Sequence, residues 1–89
     1  MDYDKIIHSL VDSFVANKDA VMIRQMPTEN ENDVVLLIVS EQEDTARLIG
    51  RKGIIADALR EVLSIAGKTE GKRIHLKFES FDVQNEDED

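Results

Sequence analysis

The chain has 89 residues, 42% of them apolar and none of them cysteine, which allows one compact core and excludes both a disulfide framework and a thiolate metal site. Its formal net charge is −8, the wrong sign for a protein that draws affinity from counterions released by nucleic acid. No apolar run nears the ~20 residues of a membrane span, and the opening MDYDKIIHSL carries acid where a secretion signal carries base, so a soluble cytoplasmic protein is expected.

Between Tyr3 and Ala16, the residues Ile6, Ile7, Leu10, Val11, Phe14 and Val15 recur at helical spacing on one stripe. This predicts an amphipathic helix with Asp2 or Asp4 as N-cap and a stop in Asn17-Lys18-Asp19. Residues 20–26, AVMIRQM, read as a short strand, and Pro27 with the polar TENEND after it reads as a turn. DVVLLIVS at 33–40 is a continuous apolar run of strand length, the pattern of a central strand that pairs back on the first.

Beyond Ser40, acidic residues favour a helix start near Glu43, and DTARLI supplies about two turns before Gly50. The stripe resumes at Ile54, Ile55, Ala58, Leu59, Val62, Leu63 and Ala66, a longer helix that Gly67 is expected to end. After the connector GKTEG, the segment KRIHLKFESF alternates, with Ile74, Leu76 and Phe78 on one face and His75, Lys77 and Glu79 on the other. Residues 82–89 are acidic with few apolar anchors, a flexible tail beyond a domain of residues 1–81.

In this α-β-β-α-α-β order, Gly50 and Gly53 stand at the joint of the last two helices, each costing about 1 kcal/mol relative to alanine if the helix were continuous. The charge distribution explains why they are worth keeping. Residues 1–44 carry three basic and ten acidic side chains, residues 45–77 carry eight basic and three acidic, and residues 78–89 carry six acidic and no basic ones. The cations therefore gather around the glycine pair. A helix N-terminus presents unpaired N–H groups and a partial positive charge, and a glycine lets a phosphodiester approach the backbone. Gly50, Arg51, Lys52 and Gly53, with the first turn from Ile54, make such a surface.

LIGRKG at 48–53 resembles the IGxxG signature of the KH domain, a module that binds RNA and other single strands and whose GXXG loop clamps about four nucleotides. The element order resembles the type II arrangement, and the length and the EGKRI lead into the last strand are similar to the small stand-alone bacterial KH proteins of the KhpA family. The resemblance spans residues 3–78 and is concentrated in 44–73. It implies an α+β fold, a single type II KH domain with a three-stranded mixed sheet and helices packed on one face. It implies further that Gly50, Arg51, Lys52 and Gly53 clamp the backbone of single-stranded RNA, with Ile49, Ile54, Ile55 and Ala58 as apolar floor or helix packing. Relatives associate as homodimers or with a larger Jag-type KH protein and are tied to small-RNA regulation and cell elongation, so the resemblance implies post-transcriptional regulation or RNA chaperoning for this chain. Two positions depart from the pattern: Ala56 where many KH domains have a larger aliphatic residue, and Ile54 where related proteins often have a base.

Lys68, Lys72 and Arg73 are candidates to extend the basic surface, while Arg47 and Arg60 have helical spacing to Asp44, Asp57 or Glu61. With aromatic residues at 4% and no tryptophan, a stacking platform is not expected, so aliphatic contact and base-edge hydrogen bonds must recognise the strand. Catalysis has no support: GRKG lacks the G-x-x-x-x-G-K-[ST] of a nucleotide-hydrolysing loop, Ser9 and Ser13 have no activating base, and the tail lacks a calcium-loop pattern. His8 and His75 read as solvated or partly packed, and contact of His75 with RNA beside Lys77 is only the minor alternative. No metal or cofactor is expected. The alternative to RNA binding is a protein-interaction adaptor, and a third, minor alternative is that residues 82–89 occupy the basic groove in the absence of ligand.

Overall fold

The computed structural model describes residues 1–81. Three helices, α1 (Tyr3–Val11), α2 (Gln42–Ile49) and α3 (Ile54–Lys68), pack on one face of a sheet of β1 (Met22–Met26), β2 (Asp33–Ser40) and β3 (Arg73–Ser80). The sheet order is β1-β2-β3, antiparallel between β1 and β2 and parallel between β2 and β3, with Leu36 opposite Gln25 and Leu76. This is the mixed three-stranded α+β arrangement expected of a type II KH domain. The acidic tail lies outside the described residues, and so does its expected seat in the groove.

β2 is central and alternates: Val34, Leu36, Ile38 and Ser40 are buried beneath the helices, while Asp33, Val35, Leu37 and Val39 are half-covered on the open face. Tyr3, Ile7 and Val11 of α1, Val21 just before β1, Leu48 of α2, Leu59 and Leu63 of α3, and Leu76 of β3 complete the core cluster. Burying each such side chain is worth about 1.5–3 kcal/mol, which for a chain this short is most of the driving force.

Three boundaries differ from the periodicity. The first helix, predicted to run to Ala16, ends at Val11 and leaves Phe14 47% exposed. Its continuation is diverted because the N–H groups of Ala16 and Asn17 donate to the Asp44 carboxylate at 2.8 and 3.0 Å. The first strand consequently starts at Met22, after a 3₁₀ turn over Lys18–Ala20. Gly67, the predicted stop of the third helix, lies inside α3 and is buried. A Cβ there would come within 2.6 Å of Ile74 Cγ1 and 2.8 Å of the Lys72 carbonyl oxygen, so its role is close helix-to-strand approach.

Candidate nucleic-acid interface

α2 ends at Gly50, whose N–H donates to the Ala46 carbonyl at 2.9 Å before the chain swings to φ 78°, ψ 173°. Residues with a Cβ essentially do not adopt that conformation. Space forbids one as well, since a Cβ would sit 2.5 Å from Ile55 Cγ1. A tight turn over Arg51–Gly53 follows, closed by a 3.1 Å bond from Gly53 N–H to the Gly50 carbonyl. Within it Lys52 is left-handed, φ 57°, ψ 21°, which costs a side-chain-bearing residue roughly 1–2 kcal/mol. Gly53 repeats that conformation at φ 79°, ψ 17°, and nothing lies within 4 Å of where its Cβ would be.

α3 begins at once, and no side chain caps its first amides. Arg51 and Lys52 are exposed, and the ion pairs among the described residues involve neither. The elbow therefore combines two solvated cations, an open glycine backbone and a helix start.

The structure separates the apolar candidates. Ile54 is 65% exposed beside the elbow and Ile49 is partly exposed, whereas Ile55 packs inward against the core. Ala58 is exposed and Ala56 is buried, so the small residue at 56 fills a tight core position. Lys72 and Arg73 are not brought to the elbow. They follow the far end of α3, whose 15 residues rise about 22 Å. There Lys72 Nζ donates to the Glu31 carbonyl at 2.7 Å, and Arg73 Nε meets Asp33 Oδ1 at 2.9 Å. His75 Nε2 lies 3.3 Å from the same carboxyl oxygen; this hydrogen bond and the Arg73 charge hold Asp33 below the usual carboxylate range. A cavity of about 420 Å³ at this end, lined by Met1, Gln25, Pro27 and Glu70 among others, is remote from the elbow.

Two helical ion pairs match the spacing: Arg47 Nη1 to Asp44 Oδ1 at 2.6 Å and Arg60 Nη1 to Asp57 Oδ1 at 3.2 Å. Arg60 does more than the spacing shows. Its Nε and Nη2 donate to the Leu76 carbonyl at 3.3 and 3.2 Å, and its guanidinium lies 5.5 Å from the centroid of the Phe78 ring. The sequence signal was present in part, because Gly53, Asp57 and Arg60 fall at i, i+4 and i+7 on one side of α3. Only the fold could bring the β3 edge to meet them.

Residues 4–78 match the family described as KhpA/KhpB, KH domain, a span that takes in nearly all of α1 and every later element except the last residues of β3. The chain belongs to this family. Among curated proteins it is similar to the RNA-binding protein KhpA of Oceanobacillus iheyensis, 39% identical over 72 residues that cover 80% of this chain and 92% of the relative. It is also similar to the RNA-binding protein KhpA of Aquifex aeolicus, at 33% over 72 residues, 81% of this chain and 89% of the relative. The protein of the same name from Listeria monocytogenes is 30% identical over 74 residues, 83% of this chain and 95% of the relative. No solved structure matches significantly. Among the described residues no helix is long and apolar enough to cross a membrane, and no cluster of His, Cys, Asp and Glu could hold a metal ion.

Proposed function

We propose that this chain is a non-catalytic RNA-binding protein of the cytoplasm that holds the backbone of a single strand in the Gly50-Arg51-Lys52-Gly53 elbow and serves post-transcriptional regulation or RNA chaperoning. The observation that carries this reading is Lys52, a non-glycine residue kept left-handed in an exposed turn between two glycines. Backbone strain of that kind persists where a ligand-binding geometry needs it, and here it falls in a turn that carries two exposed cations directly before the start of α3. Phosphates contact the cations and the first amides of α3, in the way helix N-termini accept anions. Ile49 and Ile54 line the approach for the bases, and Ile55 supports them from the core side. The names of the relatives support an RNA partner.

The test is the double substitution Arg51→Asp, Lys52→Asp. Both side chains are exposed, so the circular dichroism stays native while crosslinking to RNA is lost; RNA association retained by a folded double variant overturns the assignment.

One observation favours a second reading, that of a protein-interaction adaptor. Ile54, Val62 and Ile65 are 65%, 44% and 62% exposed on α3, and with Ala58 they follow helical spacing as an uncovered apolar stripe. The stripe fits a second copy of this chain or the KH domain of a Jag-type protein. Light scattering of the wild type against Val62→Glu, Ile65→Glu decides between them: a dimer that becomes monomeric supports the adaptor role, and a wild-type monomer that does not associate with a Jag-type KH domain removes it.

A further inference from the structure

The backbone bonds of β3 define which of its groups face away from β2. Arg73 N–H donates to the Asn32 carbonyl and Phe81 N–H to the Ser40 carbonyl, so odd-numbered residues turn their backbone groups toward β2. The even-numbered ones, Leu76 among them, turn theirs to the outer edge of the sheet. That edge faces α3, and Arg60 occupies it.

Resting on the RNA-binding reading of the elbow, we infer that Arg60 is the base-reading residue of this domain and gives it a preference for bases that present two adjacent acceptors, cytosine and guanine, over adenine and uracil. Three features carry the inference. First, the guanidinium is fixed rather than free: Nε and Nη2 bind the Leu76 carbonyl, Nη1 binds Asp57, and the Phe78 ring lies beneath. These bonds use three of its five N–H donors and leave two for a ligand. Second, Asp57 offsets the charge of Arg60, so this spot attracts phosphate less than Arg51 and Lys52 do; it suits the base end of a nucleotide. Third, Arg60 lies seven residues beyond Gly53 on the same side of α3, about 10 Å along the helix axis from the backbone clamp.

The selectivity follows from donor and acceptor patterns. A guanidinium only donates. Guanine offers N7 beside O6, and cytosine offers N3 beside O2, each a pair of acceptors for a fork of donors. Adenine sets an amino donor beside N7, and uracil sets its N3–H between its two carbonyls, so each meets Arg60 with one repulsive contact. The Arg60 plane, backed by Phe78, also supplies a stacking surface that the low aromatic content of the sequence did not lead one to expect.

Fluorescence anisotropy with labelled ten-nucleotide oligo(C), oligo(A), oligo(U) and a guanine-rich mixed strand, at one low salt concentration, tests this with the full chain. Wild type is expected to bind the cytosine and guanine strands about tenfold more tightly than the others, the discrimination one bidentate pair supplies. Arg60→Gln and Arg60→Lys, checked for native circular dichroism, bring that ratio to near one, because neither keeps the planar fork; Lys keeps the charge and serves if Gln fails to fold. A purely structural role for Arg60 lowers the melting temperature or weakens all strands equally and leaves the ratio unchanged, which overturns the inference. A wild type that binds strands without preference also overturns it while sparing the elbow, and a wild type that binds none refutes the RNA-binding reading itself.

Discussion

Residue by residue, the two glycines of the elbow are not equivalent. Gly50 combines a backbone conformation that L-residues avoid with a Cβ position only 2.5 Å from Ile55 Cγ1, whereas Gly53 needs only its left-handed φ and faces open space. Gly53→Ala is therefore expected to cost about 1–2 kcal/mol, the left-handed penalty alone. Gly50→Ala costs visibly more, since Ile55 must also move. Thermal melts of the two variants measure the difference, and equal melting temperatures contradict it. Asp44 makes the same point for polar groups. Its carboxylate is 1% exposed and accepts from Ala16 N–H, Asn17 N–H and Arg47. The backbone bond from Ala16, helped by Asn17 and Arg47, holds its pKa below the ordinary aspartate value. Because the folded pKa is depressed, the stabilisation is complete above the unfolded value near ~3.9 and is lost as pH falls through the folded one. Asp44→Asn should melt at a lower temperature at pH 7, with the gap to wild type closing as acid protonates the native carboxyl. A gap that does not narrow in acid rules out this source of stability.

At the scale of elements, α2 is the weak point on which the elbow depends. It has eight residues, too few for an isolated helix to be stable in water, and Glu41 at its N-cap makes no side-chain capping bond. Its place is held by Leu48, which is fully buried, and by Asp44, which ties its first turn to the segment after α1. Leu48→Ala is expected to cost about 2–5 kcal/mol and to speed amide exchange in α2 and the elbow more than in β2. Uniform exchange across the chain contradicts that picture. The elements themselves were largely legible. The alternation in 73–80 and the apolar run of 33–40 carried both strands, and the stripe from Ile54 carried α3, because each element buries one face and its period shows in the residues. The end of α1 was not legible, since the stripe continues through Phe14 and Val15 while the backbone amides that would extend it are taken by Asp44, 27 and 28 residues away.

For the whole molecule, the net charge of −8 and the cationic elbow lead to a specific salt dependence. If the elbow carries binding through two or three phosphates, the log–log slope of affinity against salt for a single strand is near about −2, at about 0.7 per phosphate. A slope near zero, measured by titration across ionic strengths, excludes the elbow as the main contact. The GXXG elbow was visible in the sequence because glycines flanking two cations at a helix joint form a local pattern. Arg60 could be paired with Asp57 by helical spacing, but its seat on the Leu76 carbonyl and the Phe78 ring lies 16 and 18 positions along the chain. The sequence alone determined the order of elements, the core faces and the cationic turn, since each follows from residues within a few positions of one another. Only the tertiary structure decided where α1 stops, why Gly67 is small, that Lys72 and Arg73 lie a helix length from the elbow, and which side chain sits at the edge of β3. Those depend on which distant backbone groups come within hydrogen-bond or van der Waals reach, and local periodicity holds no record of that.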